Sequence, residues 1–392
     1  MLQTVAIRGY RSLRDVVLPL RRLTVVTGAN GTGKSSLYRA LRLLADCGRG
    51  EVIGSLAREG GLQSVLWAGP EQIAGARRTG QSQGTVRTRP VSLEMGFAAD
   101  DFGYLVDLGL PVHAGPGSLF GRDPQIKREL VFAGAVARPG ATLVRRGGEF
   151  AEASSASGGG FDELTRALPL YRSVLGDFAH PQALPELAAV RDRLRSWRFY
   201  DGFRVDAAAP ARRPQVGTRT PVLSDDGSDL AAAVQTILEA GLDDLPRAVA
   251  AAFDGAALQI ADHDGMFDLQ IRQPGMLRPL RCAELSDGTL RFLLWAAALL
   301  SPSPPSLMIL NEPETSLHPD LVRPLAGLVA TAAAQTQVVV VTHSPAMVEL
   351  LDTVAIDEDG EAVHLSLYKE YGETRIQDQN LLSTPPWDWG AR

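Results

Sequence analysis

Eight consecutive residues carry the strongest chemical signal in the chain: Gly28-Ala-Asn-Gly-Thr-Gly33-Lys34-Ser35 fits the pattern G-x-x-x-x-G-K-[ST]. Glycines at these positions let successive backbone N–H groups wrap an anion, and a helix beginning there adds the positive end of its dipole. The candidate nucleotide cradle is Gly28, Asn30, Gly31, Thr32, Gly33, Lys34, Ser35 and Ser36. Lys34 would reach the β- and γ-phosphates of ATP, and the Ser35 hydroxyl would ligate Mg²⁺. Such an octet also arises by chance in glycine-rich turns, so its context decides. Leu23–Gly28 (LTVVTG) before it is a short β-branched run. After it, Leu37, Ala40, Leu41 and Leu44 recur at the spacing of an amphipathic helix over Ser35–Cys47. That context fits a phosphate loop.

Three further stretches place reactive types at the ends of apolar runs. Leu307–Pro313 (LMILNEP) is an apolar strand ending in polar residues, the form of a Walker B element. Glu312 would sit at the carboxyl edge of a parallel sheet, where ligands bind in such folds. As a general base polarising water it would contribute roughly 10²–10⁴-fold in rate. Asn311 stands where an aspartate is usual, so it enters as a magnesium-directed residue with an amide oxygen instead of a carboxylate. Leu285-Ser286-Asp287-Gly288-Thr289 offers a serine N-cap and free N–H groups, an anion site at Ser286 and Gly288. His343 follows the run VVVVT, where its imidazole could face a γ-phosphate and the attacking water. Taken singly, the plainer readings are an acidic turn, an ordinary helix cap and a packed histidine.

In this order the elements resemble the ABC-type ATPase superfamily, and within it the stand-alone RecF/SMC-like heads grouped as AAA-family ATPases. The phosphate loop, Leu285–Thr289 as a signature with Asp287 in place of the commoner glycine, Asn311–Pro319 (NEPETSLHP) and Thr342-His343-Ser344 carry the likeness. Tyr10–Leu13 (YRSL) and Arg195–Arg204 also fit it. The likeness covers about residues 1–47 and 280–350. It implies catalytic roles for Lys34, Glu312 and His343, and Ser286 and Gly288 facing the γ-phosphate held by a second copy. It also implies a D-loop at Glu314–Leu317. Gln125 and Gln182 are both candidates for the Q-loop glutamine.

One basic cluster stands out: Arg191, Arg193, Arg195, Arg198, Arg204, Arg212 and Arg213, with Trp197, Phe199 and Tyr200 among them. It could hold a phosphate backbone with aromatic stacking. Equally, its arginines could pair with nearby acids while the aromatics lie in the core. Lys34, Lys127 and Lys369 are the only lysines among 39 basic residues, so an ammonium was kept in few places.

The 392 residues are 45% hydrophobic and 21% charged, ordinary for a globular chain. A net charge of -6 argues against a wholesale basic nucleic-acid binder. The apolar runs Phe292–Leu300 and Val338–Val341 fall short of the ~18 residues that a membrane span needs. Cys47 and Cys282 are too few for a disulfide framework, so reduced thiols in the cytoplasm are expected.

The expected fold is an α/β P-loop NTPase of the ABC-head type with an antiparallel β-subdomain and a mainly helical insertion. Residues 1–150 would form the N-terminal lobe, 151–276 the insertion, 277–356 the C-terminal lobe and 357–392 a tail. Alternation in VSLEMGF, FGYLVDLGL, IKRELVFAG and ATLVRRGGEF marks the antiparallel strands. Residues 161–200 read as helical with proline breaks, Asp225–Ser228 offers a cap for a helix over Asp229–Ala240, and ALQIADH and FDLQIR read as a strand region before the C-terminal lobe. ATP should join two copies as a homodimer, with DNA or an effector protein as partner and no membrane. A DNA repair, genome-maintenance or defence role is expected. The alternatives are an effector-recruiting switch and a transporter subunit, and the long stretch between phosphate loop and signature counts against the latter. The chain has no long coiled coil, and only 49 residues follow His343, so no nuclease activity of its own is expected.

Overall fold

The computed structural model describes residues 1–69, 92–111, 119–155, 158–355, 362–380 and 382–390. These form two compact units. The first is Met1–Arg21, Thr27–Trp197 and Leu365–Arg392; the second is Arg22–Val26 and Arg198–His364.

In the first unit, β1 (Leu2–Tyr10) and β2 (Leu13–Pro19) form an antiparallel hairpin. The chain then passes through β3 (Leu23–Gly28), α1 (Lys34–Arg49), α2 (Val52–Arg58) and α3 (Leu62–Val65). β1 also pairs with β4 (Leu93–Ala99). β5 (Phe102–Gly109), β6 (Gln125–Ala133), β7 (Thr142–Gly147), β8 (Phe150–Ser154) and β9 (Phe161–Thr165) extend the sheet in turn, all antiparallel. β4 is buried at every position, so both of its faces are covered. Side chains alternate between the faces. Phe97 meets Trp197 at 5.9 Å between ring centres, while its neighbour Ala98 packs with Ala6, Leu105, Phe132 and Trp389. Trp389 comes from the carboxyl-terminal segment, whose hairpin β17 (Ala362–Glu370) and β18 (Glu373–Ile376) turns through Tyr371 and Gly372, both at positive φ. After α4 (Val174–Asp177), α5 (Pro185–Ser196) lies against α1 at Gly48, where a Cβ would collide with Leu194.

The second unit is built on a parallel sheet. β10 (Arg198–Tyr200), β15 (Leu307–Asn311), β16 (Gln337–Val341) and β3 lie side by side in that order. β16 is buried throughout, as a central parallel strand must be. Between β10 and β15 the chain forms β11 (Gln215–Val216), α6 (Leu230–Glu239), α7 (Asp244–Ala252), the hairpin β12 (Ala257–His263) and β13 (Met266–Arg272), then β14 (Leu280–Arg281) and α8 (Asp287–Leu299). Beyond β15, α9 (Pro319–Ala333) and α10 (Pro345–Ala355) flank β16 in sequence. Tyr200, Phe203 and Trp295 pack against one another in the core, tilted or edge to face, with ring centres 4.9–6.2 Å apart, and Cys282 is buried there too. Burial pushes the Cys282 thiol up to about 12, which keeps it protonated at neutral pH.

The segment 151–276, expected to be mainly helical, is mixed. β8 and β9 carry the antiparallel sheet past residue 150 and β10 belongs to the parallel sheet, while the strand region read at ALQIADH and FDLQIR forms the hairpin β12–β13. Pairing against a neighbouring strand overrides helix propensity at Phe161–Thr165, where the alternation is weak. The two units also cut across the expected order of lobes, since residues 365–392 lie with residues 1–21. The expected boundary at 356 lies outside the described residues. At α6, Asp229 occupies the N-cap position but makes no capping bond, because its carboxylate accepts from Ser224 N and Oγ instead (3.0 and 2.6 Å).

Candidate functional site

The phosphate loop links the end of β3 to α1, which starts at Lys34 with no side-chain cap at Gly33. Its first N–H groups are therefore left for something else, which suits an anion. The backbone requires glycine here: φ is +145° at Gly28, +79° at Gly31 and +113° at Gly33. A Cβ on Gly28 would strike the Leu367 carbonyl, and one on Gly33 would strike Thr374. Lys34 is buried and its Nζ donates to Gly28 O (2.5 Å) and Ala29 O (3.2 Å), curled over the loop it serves. Thr32 Oγ1 donates to Ala29 O at 2.8 Å; Asn30, Gly31 and Ser35 are exposed and Ser36 half-buried.

Of the brace behind this loop, Ser12 lies in YRSL, but its partner Thr374 has no signature in the sequence. Thr374 on β18 is buried, with its hydroxyl 2.7 Å from Thr32 O and 2.8 Å from Ser12 Oγ. A carbonyl only accepts, so the single Thr374 proton goes to Thr32 O and the Ser12 hydroxyl donates to Thr374. Thr374 N donates to Ser12 O at 2.8 Å as well. Thus YRSL and the last hairpin clamp the loop.

In the second unit, the carboxyl ends of the parallel strands gather the other candidates. Glu312 follows β15 with φ +49°, an uncommon conformation for a side-chain-bearing residue, and its N–H donates to Val341 O at 2.7 Å. Such strain, of order 1–3 kcal/mol, concentrates at functional sites. Glu312 Oε1 lies 3.3 Å from His343 Nδ1, and both side chains are open to solvent. Thr342, fully buried, donates its hydroxyl to Glu314 Oε1 and accepts from Ser344 N at 3.0 Å, which fixes the turn that carries His343. Asn311 does not stand alone: its Nδ2 donates to Asp201 Oδ1 at 2.6 Å. Asp201 was missed in the sequence because it follows a three-residue strand inside the arginine-rich stretch. Within the second unit, the Asn311 amide and the Asp201 carboxylate present oxygens side by side. They are the hard donors that magnesium takes.

Ser286 caps α8, accepting from Thr289 N at 3.2 Å, with Gly288 in the first turn. Asp287 is held by Arg212 (2.6 Å), whose guanidinium also donates to Val205 O, Cys282 O and Leu285 O. Arg212 is thus the buried rivet of the signature turn.

That finding changes the reading of the basic cluster. Trp197, Phe199 and Tyr200 are 0–1% exposed and cannot stack on bases. In the first unit Arg191 donates to Ala179 O, Arg193 grips Asp101 through two 2.7 Å bonds and Arg195 donates to Gly48 O. In the second, Arg204 pairs with Asp206 and Arg212 is used as described, while Arg213 is exposed. The cluster is largely structural. Of the Q-loop candidates, Gln125 opens β6 and accepts from Lys127 Nζ at 2.8 Å, and Gln182 is exposed on a turn.

A glycine-rich loop feeding a helix, a parallel sheet with acidic strand ends and a large antiparallel sheet define a P-loop NTPase fold of the ABC-head type. Residues 168–349 match the family described as "AAA domain, putative AbiEii toxin, Type IV TA system", and residues 1–51 match "AAA ATPase domain". These matches bear out the AAA-family ATPase part of the resemblance read from the motifs: both stretches carry AAA-type ATPase domain sequence. No curated protein matches the chain. Among solved structures, the Smc head bound to the C-winged helix domain of ScpA is 14% identical, with 97% of this chain and 98% of that one covered and a TM-score of 0.47. The SMC head domain from Thermotoga maritima is 15% identical, covers 97% and 99%, and has a TM-score of 0.44. A Pyrococcus furiosus Smc head with an extended coiled coil is 12% identical, covers 96% and 95%, and has a TM-score of 0.47. No helix among the described residues is long and apolar enough to cross a membrane.

Proposed function

We propose that the chain binds and hydrolyses Mg-ATP in the cytoplasm, and that ATP joins two copies of it. The observation that carries this reading is Glu312, held at positive φ on a strand end with His343 at 3.3 Å. Lys34 holds the phosphates in exchange for its contacts with Gly28 O and Ala29 O, and Glu312 polarises the attacking water. Magnesium, when bound, would supply charge neutralisation at the phosphates. Ser35, Asn311 and Asp201 are the residues that would hold it, and His343 would face the γ-phosphate. Ser286 and Gly288, at the open end of a helix, serve the nucleotide of the second copy.

The work done on a partner lies in genome maintenance or defence. The description of the matched family, a putative toxin of a type IV system, supports defence. Because most of the arginine cluster is spent on internal contacts, the reading in which the ATP state recruits an effector protein gains over duplex binding.

Mixed variants test the composite site. A Lys34→Ala chain and a Ser286→Arg chain should each fail to trap nucleotide, and mixing them should restore trapping. One site of each heterodimer then joins an intact phosphate loop to an intact signature. Heterodimers that form without regaining trapping would remove the dimer mechanism and leave a P-loop ATPase.

A further inference from the structure

We propose that Asp201 supplies, toward the magnesium of the nucleotide site, the carboxylate that Asn311 lacks, and that Asn311 holds it in place. The proposal rests on the Mg-ATP reading above. β10 and β15 run parallel with Tyr200 level with Leu310, so the next residues, Asp201 and Asn311, emerge together at the carboxyl edge of the sheet. Ligands of open α/β sheets bind at that edge. Gly202, at φ +66°, turns the chain away immediately afterwards.

The 2.6 Å contact also fixes the amide. A carboxylate accepts and cannot donate, so the Asn311 nitrogen faces Asp201 and the amide oxygen points away from it. The pair then offers one carboxylate and one amide oxygen, with a single negative charge. That is the charge which an aspartate at position 311 would bring by itself. An aspartate at both positions would set two carboxylates against each other where a hydrogen bond now stands. Asparagine at position 311 is therefore a consequence of Asp201, and the acidic ligand has moved one strand over.

The test compares binding of a fluorescent ATP analogue with magnesium and with a chelator present, supplemented by the manganese resonance signal of the bound complex. Asp201→Asn is isosteric and can still accept from Asn311. It should leave chelated affinity unchanged and cut the tightening due to magnesium by roughly 10–100-fold, the scale for lost metal-supporting groups. Asn311→Asp alone should bring no gain, because the new carboxylate meets Asp201. The exchange variant Asp201→Asn/Asn311→Asp should recover wild-type tightening. It also decides the matter if Asp201→Asn fails to fold, since a folded exchange variant without that tightening overturns the proposal. Full magnesium tightening in Asp201→Asn overturns it as well, with the Mg-ATP reading intact. A wild-type protein whose nucleotide affinity ignores magnesium overturns both.

Discussion

The phosphate loop and the strand-end cluster are built on opposite plans. The loop is one run, Gly28–Ser35, shaped by glycine backbone and by carbonyls its own lysine can reach. The cluster is gathered from the ends of three strands: Asp201 after β10, Asn311 and Glu312 at β15, and His343 after β16. A contiguous site depends on local conformation, so a short pattern reveals it. A dispersed site depends on strand order, which only folding supplies.

The largest expected effect is at the loop. Lys34→Ala removes the only ammonium there and should abolish nucleotide binding, read by equilibrium binding of a fluorescent ATP analogue. Retained binding would mean that the backbone cradle suffices. At the cluster, Glu312→Gln should keep nucleotide affinity and slow hydrolysis by ~10²–10⁴-fold, the range for a lost general base. Near-wild-type turnover would move that role to Glu314. The two variants separate binding from hydrolysis, and a shared phenotype would break the comparison.

This contrast also explains what was legible in the sequence. The loop, the signature serine, Glu312 and His343 each sit in a short motif beside an apolar run, and the strands and helices around them form where periodicity placed them. Asp201, Arg212 and Thr374 carry no such mark. Their roles arise from a strand neighbour 110 residues away, a signature turn 75 residues away and a loop 342 residues away. The mixed character of 151–276 was legible only in part: ALQIADH and FDLQIR read as strands and form β12 and β13, while β9 and β10 were hidden. Those two strands are short, and the partner of β10 is β15, which lies far along the chain.

Two threonines sharpen the comparison at smaller scale. Thr374→Val removes the hydroxyl under Thr32, and Thr342→Val removes the one that holds Glu314 and Ser344. Each loses hydrogen bonding worth about 1 kcal/mol, or somewhat less than tenfold. Thr374→Val should weaken nucleotide affinity with kcat nearly unchanged. Thr342→Val should lower kcat with affinity nearly unchanged, since it loosens the turn at His343. The same parameter shifting in both would mean that loop and cluster are not separately supported.

The smallest effect lies outside both regions and sets the floor for them. Arg193 grips Asp101 with two parallel bonds, and this contact, ahead of the Phe102 N–H, holds the Asp101 carboxyl below its ordinary range. Asp101 is 45% exposed in its side chain, so solvent screens the pair and its net worth should be about 0.2–1 kcal/mol. The sign follows from the depressed value. The contribution is present above the unfolded carboxyl's ordinary value, about pH 4, and fades as pH falls through the folded one. Arg193→Ala should therefore lower the melting temperature slightly at pH 7, and the gap from wild type should narrow progressively below pH 4. It should leave nucleotide binding, hydrolysis and the salt dependence of any DNA association unchanged, because this guanidinium is committed to Asp101. A salt slope reduced by roughly 0.9, the value of one lost phosphate contact, would instead return Arg193 to a nucleic-acid surface.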